Sequence, residues 1–145
     1  CVEAGAKPFH YWMTPPREGF AKLQAQALGE AARLAGRPLT IARRIVSAHS
    51  GGGLALRNAV VSGQFETDRL EFLDCNYGDW GMVIARWAAG QAGARPTIQT
   101  WNTPGPTRVH DAEILAAFPE IVVVNESPVG HFQIPGRLLG AVLLD

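Results

Sequence analysis

Residues 46–53 read VSAHSGGG, and this stretch decides how the chain is expected to fold. It ends a β-type run that begins at Thr40, and it leads into Leu-Ala-Leu-Arg-Asn, which has helical character. The pattern predicts a strand over Thr40–Ala48, a sharp turn at Ser50 and a helix over Leu54–Val61, which Gly63 closes. A strand that passes through a glycine-rich turn into a helix is the first part of a βα unit.

The rest of the chain repeats this alternation of strands and helices. Four further runs read as strands, each stopped by turn residues: Lys7–Met13, Arg69–Leu73, Pro96–Trp101 and Glu120–Asn125. Helices are predicted where apolar residues recur from Phe20 to Leu34, and over Leu54–Val61, Trp80–Ala89, Asp111–Phe118 and Pro135–Leu144. We therefore expect an α/β fold with five βα units, a mostly parallel sheet and helices on both faces, in three layers.

The bulk composition excludes several classes of function. The chain has 145 residues, enough for a single domain with a real core, and its 13 basic and 13 acidic residues balance. No basic run favours nucleic acid as a partner, and no apolar run is long enough to span a bilayer. Two cysteines, Cys1 and Cys75, do not make a disulfide scaffold. The chain begins with Cys1 rather than Met, and we expect that the native start is missing.

Ser50 has the surroundings of a catalytic nucleophile. Ala48 lies two residues before it and Gly52 two residues after it, which is the small-x-Ser-x-small pattern of a nucleophile elbow. The small residues are expected to relieve clashes at a strained turn. The helix that follows would direct its N-terminal N–H groups toward a developing negative charge, with the Gly51 N–H as one oxyanion donor.

Two further strand ends carry residues that complete such a site. Asp74 follows the strand Arg69–Leu73, where a carboxylate needs a partner, and His131 precedes the last helix. We expect Asp74 to orient the His131 imidazole. If Asp74 points away, Asp79 or Glu126 is the alternative acid. Asp111 reads instead as a residue in the first turn of the helix Asp111–Phe118.

Taken together, these residues resemble the α/β-hydrolase fold. The resemblance rests on Ala48-His49-Ser50-Gly51-Gly52, then Asp74, then Gly130-His131-Phe132 before an amphipathic helix, and it covers nearly the whole chain. The order Ser, Asp, His is that of the family. Ala48 stands where the first elbow glycine is usual. The acid follows the strand after the nucleophile helix, as in some lipases, rather than the penultimate strand.

The resemblance implies a serine hydrolase that cleaves a small-molecule ester or other acyl substrate, without cofactor or metal. Ser50 would attack the acyl carbon, His131 would transfer the proton, and Asp74 would hold the imidazole. Residues that could line an acyl pocket are His49, Tyr77, Trp80, Trp101 and Phe132; for His49, packing of the elbow is the more ordinary role.

The family takes its second oxyanion N–H from a loop after an earlier strand, and no such loop is evident in this sequence. The family's strand order also places a strand between Lys7–Met13 and the nucleophile strand. We therefore expect residues 1–145 to be the C-terminal portion of one hydrolase-like domain. The missing N-terminal strands would belong to the same protein or to a second polypeptide.

Several alternatives stay open at this point. Ser-Gly-Gly-Gly before a helix could bind a phosphate or nucleotide, although no Gly-Lys-Ser/Thr motif and no Gly-x-Gly-x-x-Gly motif is present. The chain could be a hydrolase-like binding domain without turnover. Cys1 could act as an amino-terminal nucleophile, but its surroundings do not favour this. A metal site is not indicated, because no two of the four histidines have ligand spacing.

Overall fold

In a computed structural model, residues 19–63 and 66–142 are described, and they contain four strands and five α-helices. The strands are β1 Ile45–His49, β2 Arg69–Leu73, β3 Thr97–Asn102 and β4 Val122–Glu126. The helices are α1 Gly19–Ala35, α2 Gly52–Val61, α3 Trp80–Ala89, α4 Pro106–Ala117 and α5 Ile134–Val142, and a short 3₁₀ helix covers His131–Gln133. The predicted strand Lys7–Met13 lies outside the described residues.

The four strands form one sheet in the order β1-β2-β3-β4, and every neighbouring pair is parallel. The α/β class with a parallel sheet, predicted from the alternation of elements, is confirmed. Because the strands are parallel, all four carboxyl ends lie at one edge of the sheet, where ligands and catalytic groups of such folds are found. His49 pairs with Leu73, and Leu73 pairs with Trp101. The residues that follow these three strands therefore begin side by side at the carboxyl end of the sheet.

The main core lies on one face of this sheet. Leu70, Phe72 and Ile98 point to that face and pack with buried residues of α2, α3 and α4. Alternation along β2 sends Arg69 and Glu71 to the opposite face. There the Arg69 guanidinium lies 2.7 Å from the Glu71 carboxylate, and both side chains are buried. Burial of apolar side chains is the main stabilising contribution in a domain of this kind.

Two element boundaries differ from the sequence prediction by five residues, and the others by no more than two. Strand β1 begins at Ile45 rather than Thr40, because the basic segment before it is largely exposed and outside the sheet. Helix α4 begins at Pro106, five residues before the predicted Asp111. Proline was read as a stop signal, but it is well tolerated in the first turn of a helix, whose N–H groups have no intrahelical acceptor. Asp111 is thereby moved from the helix start to its buried middle.

The glycines after Ser50 have a steric role different from the predicted one. A Cβ added at Gly52 would meet only the Ala48 Cβ, at 3.9 Å, which is an ordinary contact. A Cβ at Gly53 would lie 2.2 Å from the Cys75 carbonyl oxygen and 3.0 Å from the Trp80 ring. The glycine that the packing requires is therefore Gly53, where α2 passes over the backbone that follows β2.

Candidate active site

Ser50 lies in the tight turn between β1 and α2, with a backbone φ of 52°. This left-handed conformation is costly for a residue with a side chain, and it is often kept at functional positions. The turn is held by its backbone, because the Ser50 N–H donates to the Leu73 carbonyl at 3.3 Å and the Ser50 carbonyl accepts from the Gly53 N–H at 3.1 Å. The side chain is half-buried at the carboxyl edge of the sheet.

Gly51 is the N-cap of helix α2 and has helical dihedral angles, with φ −56° and ψ −15°. No side-chain hydrogen bond caps this helix end. The first N–H groups of a helix have no intrahelical acceptor and carry partial positive charge. The backbone just after Ser50 therefore carries partial positive charge, at the position where the sequence analysis places Gly51 as an oxyanion donor.

Asp74 follows β2 in the same left-handed conformation, with φ 50°, and is 3 % exposed. Its carboxylate accepts from the Thr103 N–H at 3.3 Å, the Thr103 hydroxyl at 2.5 Å, the Thr107 hydroxyl, and His131 Nδ1 at 2.7 Å. Burial alone would raise the pKa of Asp74, but the hydrogen bonds from Thr103, Thr107 and His131 outweigh burial and lower it. Asp74 is therefore a carboxylate at neutral pH.

His131 begins the 3₁₀ helix that leads into α5, and its side chain is 23 % exposed. Its Nδ1 lies 2.7 Å from Asp74 Oδ2. An ionised carboxylate can only accept, so Nδ1 carries the hydrogen. The neutral imidazole then has its lone pair on Nε2, which is the tautomer that a general base needs.

The structure brings Asp74 and His131 into contact and places Ser50 at the same edge of the sheet. Between Ser50 Oγ and His131 there is no hydrogen bond among the residues described. The alternative acids lie elsewhere. Asp79 is 68 % exposed, with its carboxylate 3.9 Å from the Arg57 guanidinium, and Glu126 pairs with Arg108. Asp74 thus holds the position beside His131 that the sequence analysis assigned to it.

The four aromatic residues predicted near the site have different surroundings. Tyr77 packs edge-on against Trp80, with ring centroids 5.7 Å apart. Burial and the charge of Asp74 raise the pKa of the Tyr77 hydroxyl, against an opposing effect of hydrogen bonding with Ser50, which places Tyr77 beside Ser50. Phe132 is 91 % exposed and meets His131 edge-on at 5.0 Å. The Trp101 indole donates to Glu71 at 3.2 Å and contributes to the opposite sheet face.

His49 contacts His131 rather than only packing the elbow. Its Nε2 lies 2.9 Å from the His131 carbonyl oxygen, and the two rings are 4.6 Å apart and tilted by 35°. Burial, as the largest cause, lowers the pKa of His49; the hydrogen bond with the His131 carbonyl opposes this effect, and the charge of His131 adds to it. A neutral His49 is the form that fits beside a second imidazole.

A buried polar cluster below the site was missed by the sequence analysis. The Asp111 carboxylate accepts from the Asn76 side-chain amide at 2.9 Å and the Asn102 side-chain amide at 3.1 Å, and Asn76 also accepts from the Gly81 N–H at 2.8 Å. Burial raises the pKa of Asp111 against these hydrogen bonds. The cluster ties together the segments after β2 and β3 and helix α4, which carry Asp74 and its two threonines.

Comparison with protein-family models, with curated proteins and with solved structures finds no match to this chain. Over residues 19–63 and 66–142, no group of three or more histidine, cysteine, aspartate or glutamate side chains could hold a metal ion. None of the helices in this part of the chain is long and apolar enough to cross a membrane. The case for a function therefore rests on the geometry of the residues themselves.

Proposed function

We propose that this chain carries the active site of an α/β-hydrolase-type serine hydrolase that cleaves carboxylic esters. One observation carries the proposal. Ser50 lies in a left-handed turn between a parallel strand and a helix, and at the same sheet edge Asp74 Oδ2 lies 2.7 Å from His131 Nδ1. Strained serines after parallel strands and carboxylate-bound histidines are each unusual, and their occurrence together fits acyl transfer.

The proposed reaction has two halves. His131 Nε2 removes the proton from the Ser50 hydroxyl as Oγ attacks the ester carbonyl, and Asp74 stabilises the imidazolium that forms. The tetrahedral intermediate collapses, the alcohol leaves with the proton from His131, and an acyl ester remains on Ser50. Water, deprotonated by His131, then attacks the acyl carbon and releases the acid.

The missing hydrogen bond between Ser50 and His131 is compatible with this mechanism, because catalytic hydrogen bonds are often long before substrate binds. The Gly51 N–H is the proposed first oxyanion donor. For the second donor, the resemblance implies N-terminal strands and their loop, from this protein or from a second polypeptide. Loss of one such donor typically costs about 10²–10³-fold in rate.

Reaction with a fluorophosphonate probe tests the proposal directly. Such probes phosphonylate a serine only when its hydroxyl is activated, so they report on Ser50 even where ester turnover is slow. We expect one probe adduct per chain, mapped by peptide mass spectrometry to the Ser50 peptide. Ser50→Ala removes the nucleophile and should abolish the adduct, whereas Ser47→Ala, on the preceding strand β1, should leave it intact.

The alternative functions give different results in this experiment. A hydrolase-like binding domain without turnover would leave Ser50 unlabelled while binding the ester reversibly. A phosphate-binding loop would leave Ser50 unlabelled and bind a nucleotide or inorganic phosphate at the start of α2. Either result would overturn the assignment as a serine hydrolase.

A further inference from the structure

We infer that His49 is a positioning residue for the general base: it donates a hydrogen bond from Nε2 to the His131 carbonyl and packs its ring against the His131 ring. The inference goes beyond the proposed function and rests on it for its effect on catalysis. The observation itself is geometric, namely the 2.9 Å contact and the 4.6 Å ring separation.

The chemistry of the contact sets the state of His49. A backbone carbonyl can only accept a hydrogen bond, so His49 Nε2 must carry the hydrogen. In the neutral ring this leaves the lone pair on Nδ1. The hydrogen-bond partner sets the tautomer of each ring. His49 and His131 therefore have opposite tautomers, since His131 donates from Nδ1 and keeps Nε2 free.

Two contacts then hold His131 at different points. Asp74 holds the imidazole at Nδ1, which sets its tautomer but allows the ring to swing about that single hydrogen bond. His49 holds the backbone of the same residue and also covers one face of its ring. Phe132, at the next position, is 91 % exposed, and the nearest buried side chain that follows His131 is Ile134, three residues on.

The position of His49 in the chain explains why it can do this. It is the last residue of β1, directly before Ser50, and its side chain points to the sheet face opposite the main core. If His131 moved relative to Ser50, it would therefore have to break its contact with His49, the residue directly before Ser50. His49 couples the distance between nucleophile and base to the rigid sheet.

The contact is not needed to satisfy the carbonyl. The His131 oxygen also accepts from the Ile134 N–H, as part of the turn that starts α5. Loss of the His49 donor therefore leaves no buried polar group without a partner, and a variant at this position should remain folded. A role in positioning and a role in stability can accordingly be separated.

Two matched variants separate the hydrogen bond from the ring. His49→Phe keeps an aromatic ring but has no donor, whereas His49→Gln keeps a donor at a similar distance from the backbone but has no ring. With Ser50 labelling by the fluorophosphonate as the rate assay, we expect His49→Phe to be slower by about 10–100-fold, as misplacement of a catalytic group predicts. His49→Gln should recover most of this loss, and the melting temperature of each variant is measured in parallel.

Nuclear magnetic resonance supplies a second measurement, on the unmutated chain. Nitrogen-15 spectra should show His49 as the Nε2–H tautomer, and the far-downfield proton of the Asp74-bound His131 should be sharp. In His49→Phe this proton should broaden as the imidazole becomes mobile, and in His49→Gln it should stay sharp. If His49→Phe fails to fold, the tautomer of His49 in the unmutated chain decides the question.

Contrary results are equally specific. An Nδ1–H tautomer at His49, or a His49→Phe variant with unchanged labelling and an unchanged His131 proton, would overturn the inference. If the unmutated chain does not react with the probe at all, the proposed hydrolase function fails. The tautomer and the His131 proton would still decide whether His49 positions His131.

Discussion

Ser50 and Asp74 form an instructive pair, because the two residues share a backbone conformation and differ in burial and in the hydrogen bonds of their side chains. Each follows a parallel strand, and their φ angles are 52° and 50°, the two positive values among the non-glycine residues that the structure describes. Asp74 is 3 % exposed and accepts four hydrogen bonds. Ser50 is half-buried, and the bonds that fix its turn come from the backbone.

The difference matches the tasks proposed for the two residues. A carboxylate that orients a histidine acts best when it is fixed and permanently charged, which is what Thr103, Thr107 and His131 achieve. A nucleophile has to change its hydrogen-bond partners during the reaction. Its position is therefore better fixed through its own backbone than through a network of side-chain hydrogen bonds. Both residues keep a strained conformation that costs of the order of 1–3 kcal/mol.

The largest effect is expected when the fixed charge of Asp74 is removed. Asp74→Asn replaces an acceptor of His131 Nδ1–H with an amide, which favours the wrong imidazole tautomer, and activity should fall by about 10³–10⁴-fold. The measurement is kcat for an activated ester, or the rate of Ser50 labelling. Asp79→Asn, at a site 68 % exposed, is the matched control and should leave the rate unchanged. Equal rates in the two variants would contradict the assignment of Asp74.

The next effect concerns stability at the elbow rather than catalysis. Gly53→Ala places a Cβ 2.2 Å from the Cys75 carbonyl oxygen, and we expect the free energy of unfolding to fall by about 3 kcal/mol. Gly52→Ala is the control, because its Cβ would meet nothing nearer than 3.9 Å. It should change stability by no more than about 1 kcal/mol, toward stabilisation. Urea unfolding of both variants checks this, and a reversed order would show that α2 approaches β2 differently.

A smaller effect is expected from one partner of Asp74. Thr107→Val removes a hydroxyl donor to a charged acceptor, which should cost about 2 kcal/mol of unfolding free energy at neutral pH. Thr97→Val, at an exposed strand position, should stay within about 0.5 kcal/mol of the unmutated chain. Thermal or urea unfolding of the two variants makes the comparison.

The same variant has a predicted pH dependence. The folded-state pKa of Asp74 is lowered, so its bonds stabilise the fold fully above the unfolded pKa of about 3.9 and less as the pH falls through the folded value. The difference in unfolding free energy between Thr107→Val and the unmutated chain should therefore become smaller below about pH 3.9. A gap that stays constant down to low pH would show that Thr107 does not act through the Asp74 charge.

The smallest effect concerns the strain at Ser50. Ser50→Gly replaces a side chain in a left-handed turn with the residue that prefers it, and the fold should gain about 1 kcal/mol while the activity is lost. Ser62→Gly is a useful contrast, since Ser62 has φ −67° and bonds to the Ala59 carbonyl at 2.6 Å, so its removal should destabilise. Calorimetry of the two variants gives the sign. A loss of stability in both variants would mean that the backbone at Ser50 is not strained.

The sequence predicted most of the framework because the signals are local. Strand Arg69–Leu73 and helix Trp80–Ala89 have the predicted bounds, since both are flanked by turn residues and their apolar spacing is regular. The contact between Asp74 and His131 was predicted from the parallel strands, which end at one edge of the sheet, together with the Ser, Asp, His order of the family that the chain resembles.

The parts that the sequence did not predict depend on contacts between distant residues. Thr107 was overlooked because the start of α4 was placed at Asp111, which left Thr107 in a loop. Asp111 was placed in the first turn of its helix, yet it is buried in the middle of α4 and accepts hydrogen bonds from Asn76, 35 positions away, and from Asn102. The spacing of apolar residues along the sequence does not indicate such pairs. The requirement for Gly53 is equally hidden, because the clash that it avoids is with the Cys75 backbone after β2.

The proposed mechanism requires a covalent acyl ester on Ser50, and this ester can be trapped. The chain is mixed with an activated p-nitrophenyl ester, quenched in acid and digested for peptide mass spectrometry. We expect the mass of the acyl group on the peptide that contains Ser50, with no adduct in Ser50→Ala. Hydrolysis of the ester with Ser50 unmodified, or with the acyl group on another residue, would contradict it.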